Sequence, residues 1–485
     1  MSDYSKQIEA QMKTLLHESE GIITKPIGKQ IVVCFMNGMV DSAQLNLNLI
    51  GKILEKDHYE DLNDLSEQIA IGDCTTFDQD SEAIEKLLSG FALVFMQGHS
   101  GGIMVNLAEI PSRSPANAEI ESTIYGPMIA FTESMEKNIA LLRSYITSSN
   151  FIQEQIQLNS ETKTLANMLY MKSPEANPFL DIIRKRVSRR KITGLIGSPL
   201  FLKLLTDNKY SIFPEMSLSE RPDVTAQAIL EGKIVVMVEG NSQVIIGPST
   251  FFDFFHSVED RYNTWGIGAF NRILRAVALV LSLFLTPMYV AALTYHYEII
   301  PVPLLEPLIS TRIRVPFPPL LEALVMEMSI ELLREAGARL PTKVGQTMGI
   351  VGGIVIGQAA VQAGFTSNTL VMLVALAALG SFTTPNYMMG STIRFIRFPM
   401  LIAAGALGFI GIAFFAIFLL IHLLGMTSYG KPYLYPIYPT DTKESINAML
   451  ITNSAQFEYK TGLIKKKKPF WKSNLIQKLK SDNDD

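Results

Sequence analysis

The sequence predicts an α/β N-terminal region of two subdomains followed by an α-helical transmembrane bundle. First, residues 344–393 contain no Asp, Glu, Lys, Arg or His, a run long enough for two membrane-spanning helices of about 20 residues each. Second, 276–295 and 398–421 are also free of charge. Third, ahead of Arg275 the charges are scattered among short strand-like and helix-like patterns. A chain of 485 residues has room for two or three domains. The expected divisions are a polar N-terminal segment at 1–25, α/β subdomains at 26–145 and 150–255, and a juxtamembrane helix at 256–275. A transmembrane domain of about four to five helices follows at 276–425, then a basic tail at 426–485.

From the N-terminus, residues 1–20 are polar and hold no apolar core of the kind a cleaved signal peptide needs, so none is expected. Cys34 and Cys74 are too few for a disulfide framework in so long a chain and suit a reducing compartment. A formal net charge of −4 gives no reason to expect nucleic acid as a partner. A weak repeat runs through the two subdomains. The stretch 88–98 leads through a Gly-containing turn to 103–105, and 230–240 leads through a similar turn to 244–246. Each is apolar and rich in β-branched residues on both sides of its turn, the pattern of a hairpin. Amphipathic helical stretches at 81–88 and 224–230 precede the hairpins, and 129–150 reads as a helix linking the subdomains.

Three local motifs invite chemistry. Gly98-His99-Ser100-Gly101-Gly102 fits G-x-S-x-G, but a nucleophile elbow needs a helix directly after it, and 103–107 is strand-like. The motif therefore reads as a turn. Asp253, His256, Glu259 and Asp260 lie close in sequence, yet metal sites usually draw ligands from more than one element. They read as the polar side of an amphipathic helix, with Phe251, Phe252 and Phe255 opposite. The basic run 184–191 is a solvated face or a contact for anionic lipid or an acidic neighbour. No Walker A sequence, zinc Cys/His set or dinucleotide fingerprint is present, so neither a cofactor nor an enzymatic activity is expected.

In the apolar half, a first span at 276–297 follows Arg261, Arg272 and Arg275, which places its start on the cytoplasmic side. Pro287 should kink it, and no long helix should form in the proline-rich 301–319. Over 320–336, Glu327, Glu331, Arg334 and Glu335 gather on one side of an otherwise apolar helix. A charge at the bilayer centre costs about 2.5–3.5 kcal/mol. These residues therefore either pair, as Glu331 with Arg334 or Glu335 with Arg339, or line a hydrated ion path.

Gly345, Gly349, Gly352, Gly353, Gly357 and Gly364 form a small-residue stripe that lets helices approach closely. Val351, Val355, Gln358 and Gln362 share a different face. Such a face suits a narrow pore, apolar at one level and wettable at another; the plainer alternative has the glutamines bonding to neighbouring helices. The uncharged run divides at Thr366-Ser367-Asn368. Arg334, Arg339, Lys343, Arg394 and Arg397 all lie inside if the spans cross in pairs, but one further crossing over 398–424 puts the tail outside, against the positive-inside rule. Lys465, Lys466, Lys467 and Lys468, followed by Pro469-Phe470-Trp471, are either a surface for anionic lipid or a free tail.

Taken together, Ser219-Glu220-Arg221-Pro222-Asp223, the stretch Arg312-Ile313-Arg314-Val315-Pro316-Phe317-Pro318-Pro319, and the segments 333–341 and 356–364 are highly specific. On these pieces the chain resembles the A subunit of GerA-type spore germination receptors, over about residues 26–440. It departs mildly at Ser219, where that family often has Thr, and at Glu239-Gly240-Asn241, where Asp-Gly is commoner. The resemblance implies a protein of the bacterial spore inner membrane, its large N-terminal region on the core side. It implies a B subunit with a transporter-like fold and a C subunit that is a lipoprotein as partners. Nutrient would bind chiefly the B subunit, and the A subunit would form a homo-oligomer that opens as an ion channel. A secondary transporter and a non-conducting scaffold are the competing functions.

Overall fold

The computed structural model describes residues 3–442 apart from 18, 29, 57, 70–73, 100, 110–120, 122, 124, 158–163, 174–176, 190–196, 341–351 and 354. Strands β1 (Ile22–Ile27), β2 (Ile31–Met36), β3 (Cys74–Phe77), β4 (Phe91–Met96) and β5 (Gly102–Asn106) make one sheet. Strands β6 (Phe151–Gln157), β7 (Leu165–Met171), β8 (Ser217–Ser219), β9 (Ile234–Val238) and β10 (Val244–Gly247) make a second. The orders are β1-β2-β4-β5-β3 and β6-β7-β9-β10-β8, antiparallel throughout. In chain order both therefore run first, second, fourth, fifth, third.

The inner strands β2, β4, β5, β9 and β10 lack a polar face because both sides of each sheet are covered. On the first sheet, Val33, Phe35, Val94 and Val105 meet one layer containing Leu45, Leu49 and Ile53. Their neighbours Val32, Cys34, Met36, Leu93 and Met104 meet another, built from α1 (Asp3–Leu15) and α2 (Asp80–Leu88). On the second sheet, α3 (Met135–Tyr145) and α5 (Pro222–Leu230) cover Leu169, Val235 and Val244, while α4 (Asn177–Arg189) covers Met168, Val236 and Ile245.

The two repeated runs become β4–β5 and β9–β10, turning at Gly98 (φ +95°), Gly101 (φ +91°) and Gly240 (φ +76°). Glycine enters this left-handed region without a Cβ penalty, and a Cβ on Gly101 would collide with the Phe77 carbonyl. Because β5 starts at Gly102, no helix follows the G-x-S-x-G motif; Ser100 itself lies outside the described residues.

Three segments differ from the sequence reading. The segment 1–25 is not a separate polar piece. Ile8, Met12 and Leu16 recur at helical spacing and bury against Met36 and Phe95, and β1 already begins at Ile22. An overall polar composition hid that stripe. Likewise α3 is no linker, since Met135, Ile139 and Leu142 pack on the second sheet as α1 packs on the first. Nor does 251–262 form one amphipathic helix: a 3-10 turn, Phe251–Phe255, and a short helix, Glu259–Tyr262, occupy it. Asp253 meets Thr250 N at 2.9 Å and Lys233 Nζ at 3.0 Å, whereas buried Asp260 meets Arg272 and Arg275, so these acids point to different partners.

The apolar half contains α6 (Trp265–Thr294), α7 (Val302–Arg312), α8 (Pro319–Arg339), α9 (Asn368–Phe382) and α10 (Tyr387–Gly425). Residues 355–362 are helical as well. Helices α6 and α10 are long and apolar enough to cross a membrane. The proline-rich stretch yields only α7, eleven residues long, with Pro303 in its first turn, where a missing N–H matters least. Ser367 caps α9, its Oγ accepting from Leu370 N at 3.3 Å. Gly364 (φ +71°) ends the helix before it: Phe365 N donates to Ala360 O at 2.9 Å and Gly364 N to Val361 O at 3.0 Å. That is a Schellman cap, so Gly364 acts at a helix end, where a Cβ would also stand 2.9 Å from the Arg314 carbonyl.

The long α10 is broken at Gly408 (φ +65°, ψ −143°). Its arms lie side by side: Met389, Ile393 and Ile396 share a cluster with Phe415, Leu419 and Leu423, and Met400 and Ala404 with Ile412. Met426 and Tyr433 then join Phe213 and Phe254 of the N-terminal half. The helix expected to run once over 398–424 thus reverses midway, and the chain returns to the end from which α10 set out. Tyr295 donates to Ala406 O at 2.8 Å, occupying a carbonyl beside the break.

Candidate functional site

Helix α8 carries its acids into the bundle at three levels. Near its start, Glu322 Oε1 accepts from Ser367 N at 2.6 Å and Thr366 Oγ1 at 3.1 Å, and Arg312 Nη2 lies 3.5 Å from Oε2. One turn on, Glu327 is wholly buried (0% exposed) and faces Arg397 of α10 (1% exposed) at 2.9 Å; Thr286 of α6 donates to it at 3.0 Å. Below that, Glu331 gathers Arg334 at 3.4 Å, Arg397 at 3.5 Å and Arg394 at 3.6 Å. Arg334 also donates to Ser381 at 3.3 Å and stacks over Phe382 at 4.6 Å. Glu335 and Arg339 pair at 2.5 Å on the surface.

This arrangement is a cross-helix lattice. Two glutamates of α8 and three arginines, one from α8 and two from α10, tie these two helices over about one turn, and Thr286 adds α6. Taking a charge out of water costs several kcal/mol per ion, and close pairing offsets it only when hydrogen bonds are good. Here the Arg397 nitrogens approach both glutamates without the alignment of a hydrogen bond. The contact is electrostatic, and the lattice fixes register more than it adds stability.

Of the residues singled out from sequence, Glu327, Glu331 and Arg334 enter the lattice and Glu335 does not. Arg312, Glu322, Arg394 and Arg397 were missed as site residues. The arginines read as flanking charges, because a sequence does not show that α10 starts low enough to carry Arg397 to the level of Glu327. On the other face, Val355, Gln358 and Gln362 are exposed on the protomer surface, touching none of the core clusters. Val351, Gly345 and Gly349 lie outside the described residues, as do Lys465 to Lys468. A Cβ on Gly352 would stand 2.8 Å from Leu333 of α8, so this glycine marks a close helix approach; Gly357 makes an ordinary contact with Val371 at 3.8 Å, and Gly353 faces open space.

A second polar site accounts for Ser219 to Asp223. Arg221 is 1% exposed and holds Asp223 through two bonds at 2.8 and 3.0 Å. It also donates to the Pro127 carbonyl at 2.9 Å, to the Glu121 carbonyl at 3.2 Å and to Thr123. Ser219 Oγ donates to Glu121 at 2.6 Å, and burial pushes that carboxyl up to about 7. The guanidinium fork thus pins Glu121, Thr123 and Pro127, in the connection between the two α/β units, to the second of them. Arg221→Ala leaves Asp223 buried without its cation and is expected to cost about 3–5 kcal/mol. Thermal unfolding of the detergent-solubilised protein would show it, and an unshifted midpoint would remove Arg221 from this role.

Two α/β units of one strand order, carried on an apolar bundle that pairs its charges internally, define the class: a tandem α/β module joined to a helical domain. The family model described as Bacillus/Clostridium GerA spore germination protein matches residues 10–460. The chain is 40% identical over 465 residues to spore germination protein GerQA of Bacillus cereus, covering 93% of each chain. It is 39% identical over 416 residues to spore germination protein GerIA of the same species, covering 85% of this chain and 62% of that one. A solved structure, the N-terminal domain of the A subunit of the Bacillus megaterium spore germinant receptor GerK3, matches with a TM-score of 0.40 and 23% identity, over 51% of this chain and 95% of that one. The protein belongs to the GerA family of spore germination proteins.

Proposed function

We propose that the protein is the membrane subunit of a germinant receptor, and that several copies assemble into an ion channel opened when a partner binds nutrient. The observation that carries this reading is the outward aspect of Val355, Gln358 and Gln362. These residues lie in a run without charge, where glutamines facing lipid would be costly. Copies arranged about a common axis would turn that face, with Val351, onto a shared lumen. The valines would form a dry constriction and the glutamines a wettable stretch.

The protein spans the inner membrane of the spore several times in this reading, with the N-terminal α/β units on the core side. The cluster Arg272 and Arg275 at the start of α6 supports that orientation, and a reversal at Gly408 within the membrane would keep the tail on the same side. A transporter-like B subunit and a lipoprotein C subunit complete the receptor. The tail lysines Lys465 to Lys468 rest on anionic headgroups. Nutrient on the B subunit opens the channel only insofar as that subunit contacts the open and closed states with different free energy.

Planar-bilayer recording of the purified protein, alone and with its partners, tests this directly. Val355→Ala should widen the constriction and give nutrient-independent current, and Val351→Ala should act alike. Saturable, substrate-coupled flux would point instead to a transporter, and no current under any condition to a scaffold.

A further inference from the structure

After α10 the chain turns back into the second α/β unit. Thr427–Ser428 pairs with Lys431–Pro432 in a small hairpin. Asp207 Oδ2 accepts from Thr427 Oγ1 at 2.6 Å and from Gly430 N at 3.1 Å. Ser428 Oγ donates to the Glu215 carbonyl at 2.6 Å and accepts from Ser249 N at 3.2 Å. The Tyr429 ring is buried in the core beneath the second sheet, seated over Gly247, where a Cβ would stand 2.7 Å from the ring. Tyr433 donates to the Pro214 carbonyl at 2.7 Å, and Phe251 N donates to the Tyr433 carbonyl at 2.8 Å.

We propose that 426–433 is a strap tying the returning arm of α10 to the second α/β unit so that the two move as one body, and that the buried Glu215 carboxyl beneath it makes the strap pH-sensitive. This goes beyond the channel reading and does not need it. The contacts above come from three separate segments of the unit, 207, 214–215 and 247–251, and from the core. A strap held at so many points transmits a displacement of α10 directly into β8 and β10, which is the continuous physical connection that coupling between distant parts requires.

The pH dependence has a clear origin. Glu215 is 1% exposed and takes bonds from Asn208 N at 2.8 Å and from Asp207 N. The groups facing it are Asp207, Arg186, Tyr429 and Tyr433. Arg186 is spoken for by Asp207 at 2.6 Å, so two carboxyls share one guanidinium. Burial pushes Glu215 up to about 7, with Asp207 adding to the rise. Its folded value exceeds the unfolded one, so the closed strap binds the proton more tightly. Closure is therefore favoured as pH falls through about 7 and weakened above it, where a second negative charge is enclosed. If opening fully hydrates the carboxyl, the open fraction rises by as much as about 20-fold between pH 5.5 and 7.5 and then levels off.

Hydrogen exchange of the full chain in lipid nanodiscs, read as protection factors, tests the strap. In the wild type, Gly430, Tyr433, Ser249 and Phe251 should be protected together and lose protection with rising pH along that curve. Asp207→Ala should release all four amides while β6 and β7 keep their protection. Glu215→Gln should keep the strap closed and abolish the pH dependence, whereas His422→Asn, at the strap's root, should leave the dependence in place. Strap amides that exchange freely in the wild type would overturn the proposal. So would protection that is indifferent to pH, or a pH dependence that survives Glu215→Gln.

Discussion

Arg397→Leu should destabilise the helical bundle by about 3–5 kcal/mol, while Arg397→Leu combined with Glu327→Leu should recover most of the loss. Both ends of the pair are buried, 1% and 0% exposed, and they stand 2.9 Å apart. Removing the guanidinium alone leaves Glu327 with only the Thr286 hydroxyl at 3.0 Å, enclosed between α6, α8 and α10. Removing both replaces two desolvated charges with apolar volume. Glu331 stays neutralised in the double variant by Arg334 and Arg394. Denaturant or thermal unfolding in micelles, run as a double-mutant cycle, isolates the coupling. Equal stability of Arg397→Leu and the wild type would mean that the pair is hydrated and contributes nothing.

Gly408→Ala is expected to disturb the connection between the arms of α10. At φ +65° and ψ −143° a Cβ costs about 1–3 kcal/mol in backbone strain, and here it would also stand 2.6 Å from Cε1 of His296. The chain can relieve both by straightening. An unbroken helix of 39 residues would be about 58 Å long, nearly twice the apolar core of a bilayer. That would carry 426–442 away from the second α/β unit. A cysteine at exposed Tyr438, labelled from either face of sealed vesicles, reports which side the segment occupies. Wild-type labelling and stability in Gly408→Ala would show that the reversal does not depend on this glycine. Gly425→Ala, where a Cβ meets nothing, is the neutral control.

Much of the fold is legible in the sequence because its signals are local. Hairpins with β-branched runs and glycine turns name β4–β5 and β9–β10, and an uncharged run divided at Thr366–Asn368 reappears as a helix end, a capped start and α9. What is lost depends on tertiary placement. The α1 stripe is three apolar residues in a polar segment, meaningful only once a sheet lies beneath it. Gly408 sits among Gly405, Gly411 and many apolar neighbours, and nothing local separates a reversing glycine from a packing one. For the charges, local spacing shows which acids share a face of α8 and pairs Glu331 with Arg334, but Arg394 and Arg397 come from α10, some sixty residues on, and no periodicity links them. Arg221 is hidden for the same reason, since three of its partners are Glu121, Thr123 and Pro127.

The rim of the second sheet has one more implication. Residues just before β1 lie along β6, with Glu20 N donating to Gln153 O at 2.9 Å and Gln155 N to the Glu20 side chain at 2.9 Å. A bare outer strand would offer its free amides and carbonyls to any extended peptide. This one is already engaged by its own chain at Gln153 and Gln155, which leaves less of its edge free for an added strand.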